Sequence, residues 1–106
     1  MRYLSTRDRS LRYTAAEAIK QGLSRDGGLF LPEEFPSIEP EQLKAMETMS
    51  YQQRAVEVMR LFLEDYSEEE LQAFAEAAYG SDKYDDPAVA PVHTLDAATH
   101  CLELWH

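Results

Sequence analysis

The chain has 106 residues, 44% of them hydrophobic, enough for one small domain with a core and too apolar for a disordered segment. Its net charge of -10, from 10 basic and 20 acidic residues, argues against nucleic acid or an anionic membrane as partner, and against a phosphate-bearing ligand held by this segment alone. A lone cysteine, Cys101, excludes an internal disulfide, and no stretch approaches the ~20 apolar residues of a membrane span, so a soluble cytoplasmic protein is expected.

Tyr3-Leu4-Ser5-Thr6 alternates weakly and predicts a first short strand, followed by the polar loop Arg7-Asp8-Arg9-Ser10. Tyr13 begins another extended piece. Thr14 and Glu17 form a capping box, Ala15, Ala18, Ile19 and Leu23 recur at helical spacing, and Gly22 suits the left-handed C′ position. Asp26-Gly27-Gly28 reads as a tight turn in which both glycines are free to take positive φ. Leu29-Phe30-Leu31 is long enough only for a short strand, and Pro32 and Pro36 end it because each lacks a donor N–H. This stretch is expected to be the hinge on which the helices before and after it both pack.

Pro40 fits the first position of the next helix, with Leu43 and Met46 as its apolar stripe and an end near Met49. Ser50 with Gln53 caps a longer helix, in which Tyr51, Ala55, Val58, Met59 and Phe62 form a core-facing stripe that Val56 and Leu63 widen. Ser67 with Glu70 caps another, lined by Leu71, Phe74, Ala75 and Ala78 and closed at Gly80. Glu68, Glu69 and Glu70 crowd its first turn, where the helix dipole favours negative charge. The two helices are expected to pair antiparallel over residues 50–80. Residues 81–87 are an acidic loop. Val89 to Val92 is extended but interrupted by Pro91, Asp96-Ala97-Ala98-Thr99 is a turn, and residues 100–106 read as a strand. Alternation sets His100, Leu102, Leu104 and His106 on one face, and Cys101, Glu103 and Trp105 on the other. The fold class is α+β: one small mixed domain, residues 1–106, with a helical pair and a few short strands.

Chemistry is sparse. A phosphate loop needs glycines running into a helix N-terminus, whereas Gly27-Gly28 runs into a strand. His93, His100, Cys101 and His106 lack metal-ligand spacing, and strand parity parts Cys101 from His100 and His106. Cys101 has no orienting third group to make it a nucleophile and reads as a buried free thiol. The carboxylate pairs sit in loops and helix starts, where solvent keeps both members ionised. The residues alone give no catalytic, cofactor-binding or metal site.

Five motifs in order carry a family resemblance: Tyr3-Leu4-Ser5-Thr6-Arg7, Glu17-Ala18-Ile19 with Gly22-Leu23, Asp26-Gly27-Gly28-Leu29-Phe30-Leu31-Pro32-Glu33, Val89-Ala90-Pro91-Val92, and Leu102-Glu103-Leu104-Trp105-His106. In that order the chain resembles the N-terminal domain of the threonine synthases, pyridoxal-phosphate (PLP) enzymes of the tryptophan-synthase-like class; Trp105 departs from the family's Phe. The resemblance implies a parent that converts O-phospho-L-homoserine and water to L-threonine and phosphate. It implies a Schiff-base lysine shortly beyond the last motif, in a Gly-Pro-Thr…Ala-Phe-Lys-Asp run that this chain does not reach. Lys20, Lys44 and Lys83 lie in no matching motif. The chain is then expected to be non-catalytic and to bind no PLP, with His106 near the parent's active site and the missing catalytic domains as its partner. A strand at the end of the chain suggests that covalent sequence follows. Leu102, Leu104 and Trp105 are expected to be partly exposed and to promote self-association. Composition also permits a second class, a stand-alone acidic interaction module docking through residues 50–80.

Overall fold

Every helix starts at a side chain that reaches back to the backbone. A computed structural model describes residues 1–106. Thr14 and Glu17 close a reciprocal capping box at the start of α1 (Ala15–Gln21), as do Ser50 and Gln53 at α3 (Tyr51–Phe62) and Ser67 and Glu70 at α4 (Glu68–Ala78). At α2 (Pro40–Met46), Pro40 takes the first turn and the Glu39 N–H donates to Gln42 Oε1 at 2.9 Å. α2 stops short of the expected Met49. The Arg54 guanidinium donates to the Met46 and Glu47 carbonyls at 2.8 and 3.0 Å and caps the helix there.

β1 (Tyr3–Ser5) and β2 (Phe30–Pro32) pair antiparallel, Tyr3 opposite Pro32 and Ser5 opposite Phe30. Tyr13 bridges to Tyr3 from the other side, so the extended piece expected there is a single bridge. Pro32 does not end the ladder: the Glu33 N–H still donates to the Arg2 carbonyl at 2.8 Å. Tyr3 spends its own N–H and C=O on Tyr13, which makes Tyr3–Pro32 a non-hydrogen-bonded pair in which no donor is needed. Gly22 has φ of 80° as expected, but with ψ of -82° it lies outside the left-handed helical well and at the cap itself. Gly27 takes φ of 79°; Gly28 does not take positive φ and is required for closeness instead.

α3 and α4 are the antiparallel pair. Tyr51 at the start of α3 meets Tyr79 just past the end of α4 edge-to-face at 5.0 Å, and Gln52 Nε2 donates to the Tyr79 carbonyl at 2.6 Å. Val56, Leu71 and Ala75 form the core between them, with Ala55, Met59 and Leu63 packed on it. The inward stripe is therefore Gln52, Val56, Met59 and Leu63. The stripe expected to face the core leaves Val58 exposed, and Phe74 on α4 is exposed as well. The expected stripe contains the inward Val56, Met59 and Leu63, but it is broader than the buried face, and periodicity alone does not set its centre.

The β1–α1–β2 unit joins this pair at three points. Tyr3 Oη donates to the Phe62 carbonyl at 2.6 Å, the Ala16 N–H donates to Asp65 Oδ2 at 2.8 Å, and the Met1 amine pairs with Glu64. α2 buries none of its residues, so the Gly-Gly stretch organises the helix before it and not the one after. β3 (Val92–Thr94) and β4 (His100–Leu102) form an exposed antiparallel hairpin, and the Asp96 carboxylate accepts the Ala98 and Thr99 amides in its turn. Only 10 of 106 residues are buried. The radius of gyration is 16.3 Å, against about 13 Å for a chain of this length packed around one core.

Candidate functional site

Two places bring polar side chains together. The first is the turn before β2. Ser5 Oγ donates to the Asp26 carboxylate at 2.8 Å, and the Gly28 N–H donates to Asp26 Oδ1 at 2.9 Å. Arg7 Nη1 donates to the Asp26 carbonyl at 3.0 Å, and Thr6 Oγ1 accepts the Leu29 N–H at 3.0 Å. The Gly28 amide, then the Ser5 hydroxyl, hold the Asp26 carboxyl below the usual carboxylate range. A Cβ on Gly28 would lie 2.2 Å from Ser5 Oγ. The turn amide thus cradles the protein's own carboxylate, which leaves no cradle for a phosphate.

The second place is His106. Its Nδ1 faces Asp85 Oδ1 and its Nε2 faces Glu103 Oε2, each at 2.7 Å. The hydrogen bond to Glu103, then the bond to Asp85, raise the His106 pKa above the ordinary value. Strand parity had put His106 and Glu103 on opposite faces. β4 ends at Leu102, and the chain beyond it turns so that residues three apart meet. The two carboxylates sit on opposite ring nitrogens, so a single ion cannot share them. Elsewhere, Cys101 is half-buried rather than buried as expected, because β4 lies in an exposed hairpin; it sits across from His93, and His100 Nδ1 is 3.1 Å from Thr94 Oγ1. Lys20, Lys44 and Lys83 are each exposed, on α1, on α2 and in the acidic loop.

One signal is hidden by the net charge. Six of the 10 basic residues and only two of the 20 acidic residues fall in residues 1–25. Of those six, Arg12 alone forms a salt bridge, to Glu33 at 3.2 Å. A running sum of charge along the sequence finds this division; the total does not.

Residues 2–79 match the family model described as threonine synthase N terminus. The chain is 34% identical to threonine synthase of Schizosaccharomyces pombe over 98% of its own length and 20% of that protein. It is 33% identical to threonine synthase of Pseudomonas aeruginosa over all of its length and 22% of that protein. Its structure superposes over its full length on PLP-bound threonine synthase from Brucella melitensis, with a TM-score of 0.86, 34% identity and 23% of that chain covered. The threonine synthase of Escherichia coli gives a TM-score of 0.81 at 26% identity. The chain thus spans about a fifth of the length of the relatives it matches.

Proposed function

The chain belongs to the threonine synthase N-terminus family, and on that premise we propose that residues 1–106 are the amino-terminal domain of a PLP-dependent threonine synthase. The parent converts O-phospho-L-homoserine and water to L-threonine and phosphate. The observation that carries this reading is the superposition of the whole chain on about a quarter of the PLP-bound enzyme. A stand-alone interaction module draws no support from these matches.

The residues present do not fit PLP. Lys20, Lys44 and Lys83 are all solvent-exposed, Lys20 in a shallow polar depression beside Glu17 and Arg25, and the Gly27-Gly28 turn is filled by Ser5 and Asp26. The cofactor's electron-sink chemistry therefore belongs to the remaining four-fifths of the polypeptide. This domain's part is to pack against that body and to present its last residues to it. His106, which bonds to Asp85 and Glu103, is proposed as the residue of this chain nearest the chemistry, on the ground that the family's lysine run follows its motif closely. The 106-residue chain alone binds no PLP. It self-associates through Leu102, Leu104 and Trp105, whose exposure is 54%, 77% and 69%. We place the enzyme in the cytoplasm, in keeping with its lone cysteine.

The test is to express the coding frame that contains these residues and assay phosphate release from O-phospho-L-homoserine. PLP-dependent release of threonine and phosphate is expected. An inactive, cofactor-free product, or a frame that stops at His106, overturns the reading.

A further inference from the structure

Val89-Ala90-Pro91-Val92 is a motif to which the proposed function gives no role. Val89 is the only non-glycine residue of the chain at positive φ, 66°. The Ala90 N–H reaches back over it to the Ala88 carbonyl at 2.7 Å. A three-residue turn closed by that bond at positive φ is the rare, strained γ-turn, and a β-branched residue suits its centre poorly. The turn is nevertheless held from both sides. Before it, the Val89 N–H donates to the Asp86 carbonyl at 3.0 Å and the Ala88 N–H to Asp86 Oδ1 at 2.8 Å. After it, Pro91 favours extended backbone at Ala90, and the Pro91 carbonyl accepts the Glu103 N–H at 2.9 Å. Val89 itself is 8% exposed and lines a depression beyond the end of α4 with Gln52, Tyr79 and Tyr84. Such strain persists only where the surroundings over-determine it. A glycine would take the same φ without strain, but it would also leave the turn free to relax.

The turn lies where direction matters. β3 begins at Val92, and neither β3 nor β4 buries a residue, so the hairpin has no core of its own to orient it. On the near side of the turn the chain is tied to the helical pair: Tyr84 stacks on Tyr79, which meets Tyr51 of α3. The bond from Asp85 to His106 holds the tail of the chain. The turn sets the angle at which the hairpin leaves the helices. Resting on the proposed function, we infer that Val89 is a positioning residue for the enzyme: its strained turn fixes the direction in which the hairpin carries residues 102–106, and the polypeptide that follows them, away from the helical pair. Val89 touches no reacting group and acts through the hairpin.

The test uses the full-length polypeptide with Val89→Gly, and with Val89→Ile as the conservative variant. In the glycine variant, amide exchange in residues 92–102 should quicken about ten-fold while exchange in α3 and α4 stays as in the parent. Its kcat per bound PLP should fall about ten-fold with KM little changed, because geometry and not binding is lost. Val89→Ile keeps a branched, buried side chain and should restore both values. If exchange in α3 and α4 quickens as well, Val89→Ala replaces the glycine variant under the same expectations; a second general rise makes Val89 a core residue only and overturns the inference. Unchanged exchange in the hairpin overturns it, and so does quickened exchange with kcat unmoved. An unsubstituted polypeptide that releases no phosphate from O-phospho-L-homoserine sinks the functional reading and the inference with it, whereas an active parent whose glycine variant matches it sinks only the inference.

Discussion

The first 33 residues and the last 15 are built on opposite plans. Six of the 10 buried residues, Leu4, Ser5, Ala15, Ala18, Ser24 and Gly28, fall in the first region, and β3 and β4 hold none. The amino-terminal unit closes on itself through short polar bonds around Asp26, with an apolar face left over. The carboxyl-terminal hairpin keeps its register through its ladder and turn, and is pinned down mainly by the Glu103 N–H on the Pro91 carbonyl at 2.9 Å and by the His106 clamp. The difference separates two kinds of incompleteness. The first unit is closed yet leaves apolar side chains uncovered, whereas the second depends on charges for its position.

The largest break in that contrast should come from Gly28→Ala. The added methyl would meet Ser5 Oγ at 2.2 Å and Asp26 Oδ1 and Thr6 Oγ1 at 3.0 Å, and Ser5 is buried with its one hydroxyl proton shared between the two Asp26 carboxylate oxygens. Overpacking of a fixed site costs about 3 kcal/mol. Urea denaturation should show it as a lower midpoint at unchanged slope. A midpoint within error of the parent would mean that the turn yields and the unit is not closed.

Asp26→Asn comes next, and acid titration sharpens it. The Asp26 carboxyl has a depressed pKa in the folded state, so its contribution is present above the ordinary carboxylate value of about 4 and is lost as pH falls through the folded value. The parent chain should therefore lose stability on the acid side more steeply than the variant. Parallel acid-unfolding curves would show that the carboxylate does not hold the turn.

Gly22→Ala isolates backbone conformation from crowding. Gly22 has φ of 80° and nothing within 4 Å of a built Cβ. The cost is that of a positive φ with ψ of -82°, a strained conformation for a residue with a side chain, about 2 kcal/mol. A loss as large as that of Gly28→Ala would mean that packing, not φ, constrains the end of α1.

These positions also show what a sequence can disclose. The capping boxes at Thr14, Ser50 and Ser67, the turn at Asp26 and the helix pair are local patterns, completed within a few residues, and all are present as read. The Glu39 cap was not read because glutamate is an uncommon N-cap, and here the reciprocal bond from the Glu39 N–H to Gln42 supplies it. The centre of the broad stripe on α3 is not legible in its period, because the buried face is decided by Leu71 and Ala75, which lie beyond the next turn. Asp65 on the Ala16 amide spans 49 residues and Asp85 on His106 spans 21, and no periodicity encodes such pairs. The uncovered apolar face of the first unit is legible only in pieces: Leu29 and Leu31 stand out as an apolar run and Ile19 falls on a helix stripe, and nothing local shows that they stay exposed together.

The smallest effect, and the one that probes the second region, concerns His106. Its folded pKa is raised by Glu103 and Asp85, so the clamp contributes fully below the ordinary histidine value of about 6.5 and is lost as pH rises through the folded value. Global stability should hardly move, because nothing buried depends on the clamp. The local tail should respond. Amide exchange in residues 103–106 should accelerate as the medium goes from mildly acidic to alkaline, beyond the intrinsic pH dependence of exchange, and Trp105 emission should shift with it. His106→Gln keeps one hydrogen bond but not the charge, and should remove the pH dependence while leaving exchange in β1 and β2 unchanged. If the parent tail shows no excess pH dependence, or β1 and β2 follow it, the two regions are not independent and the clamp is not what positions the end of the chain.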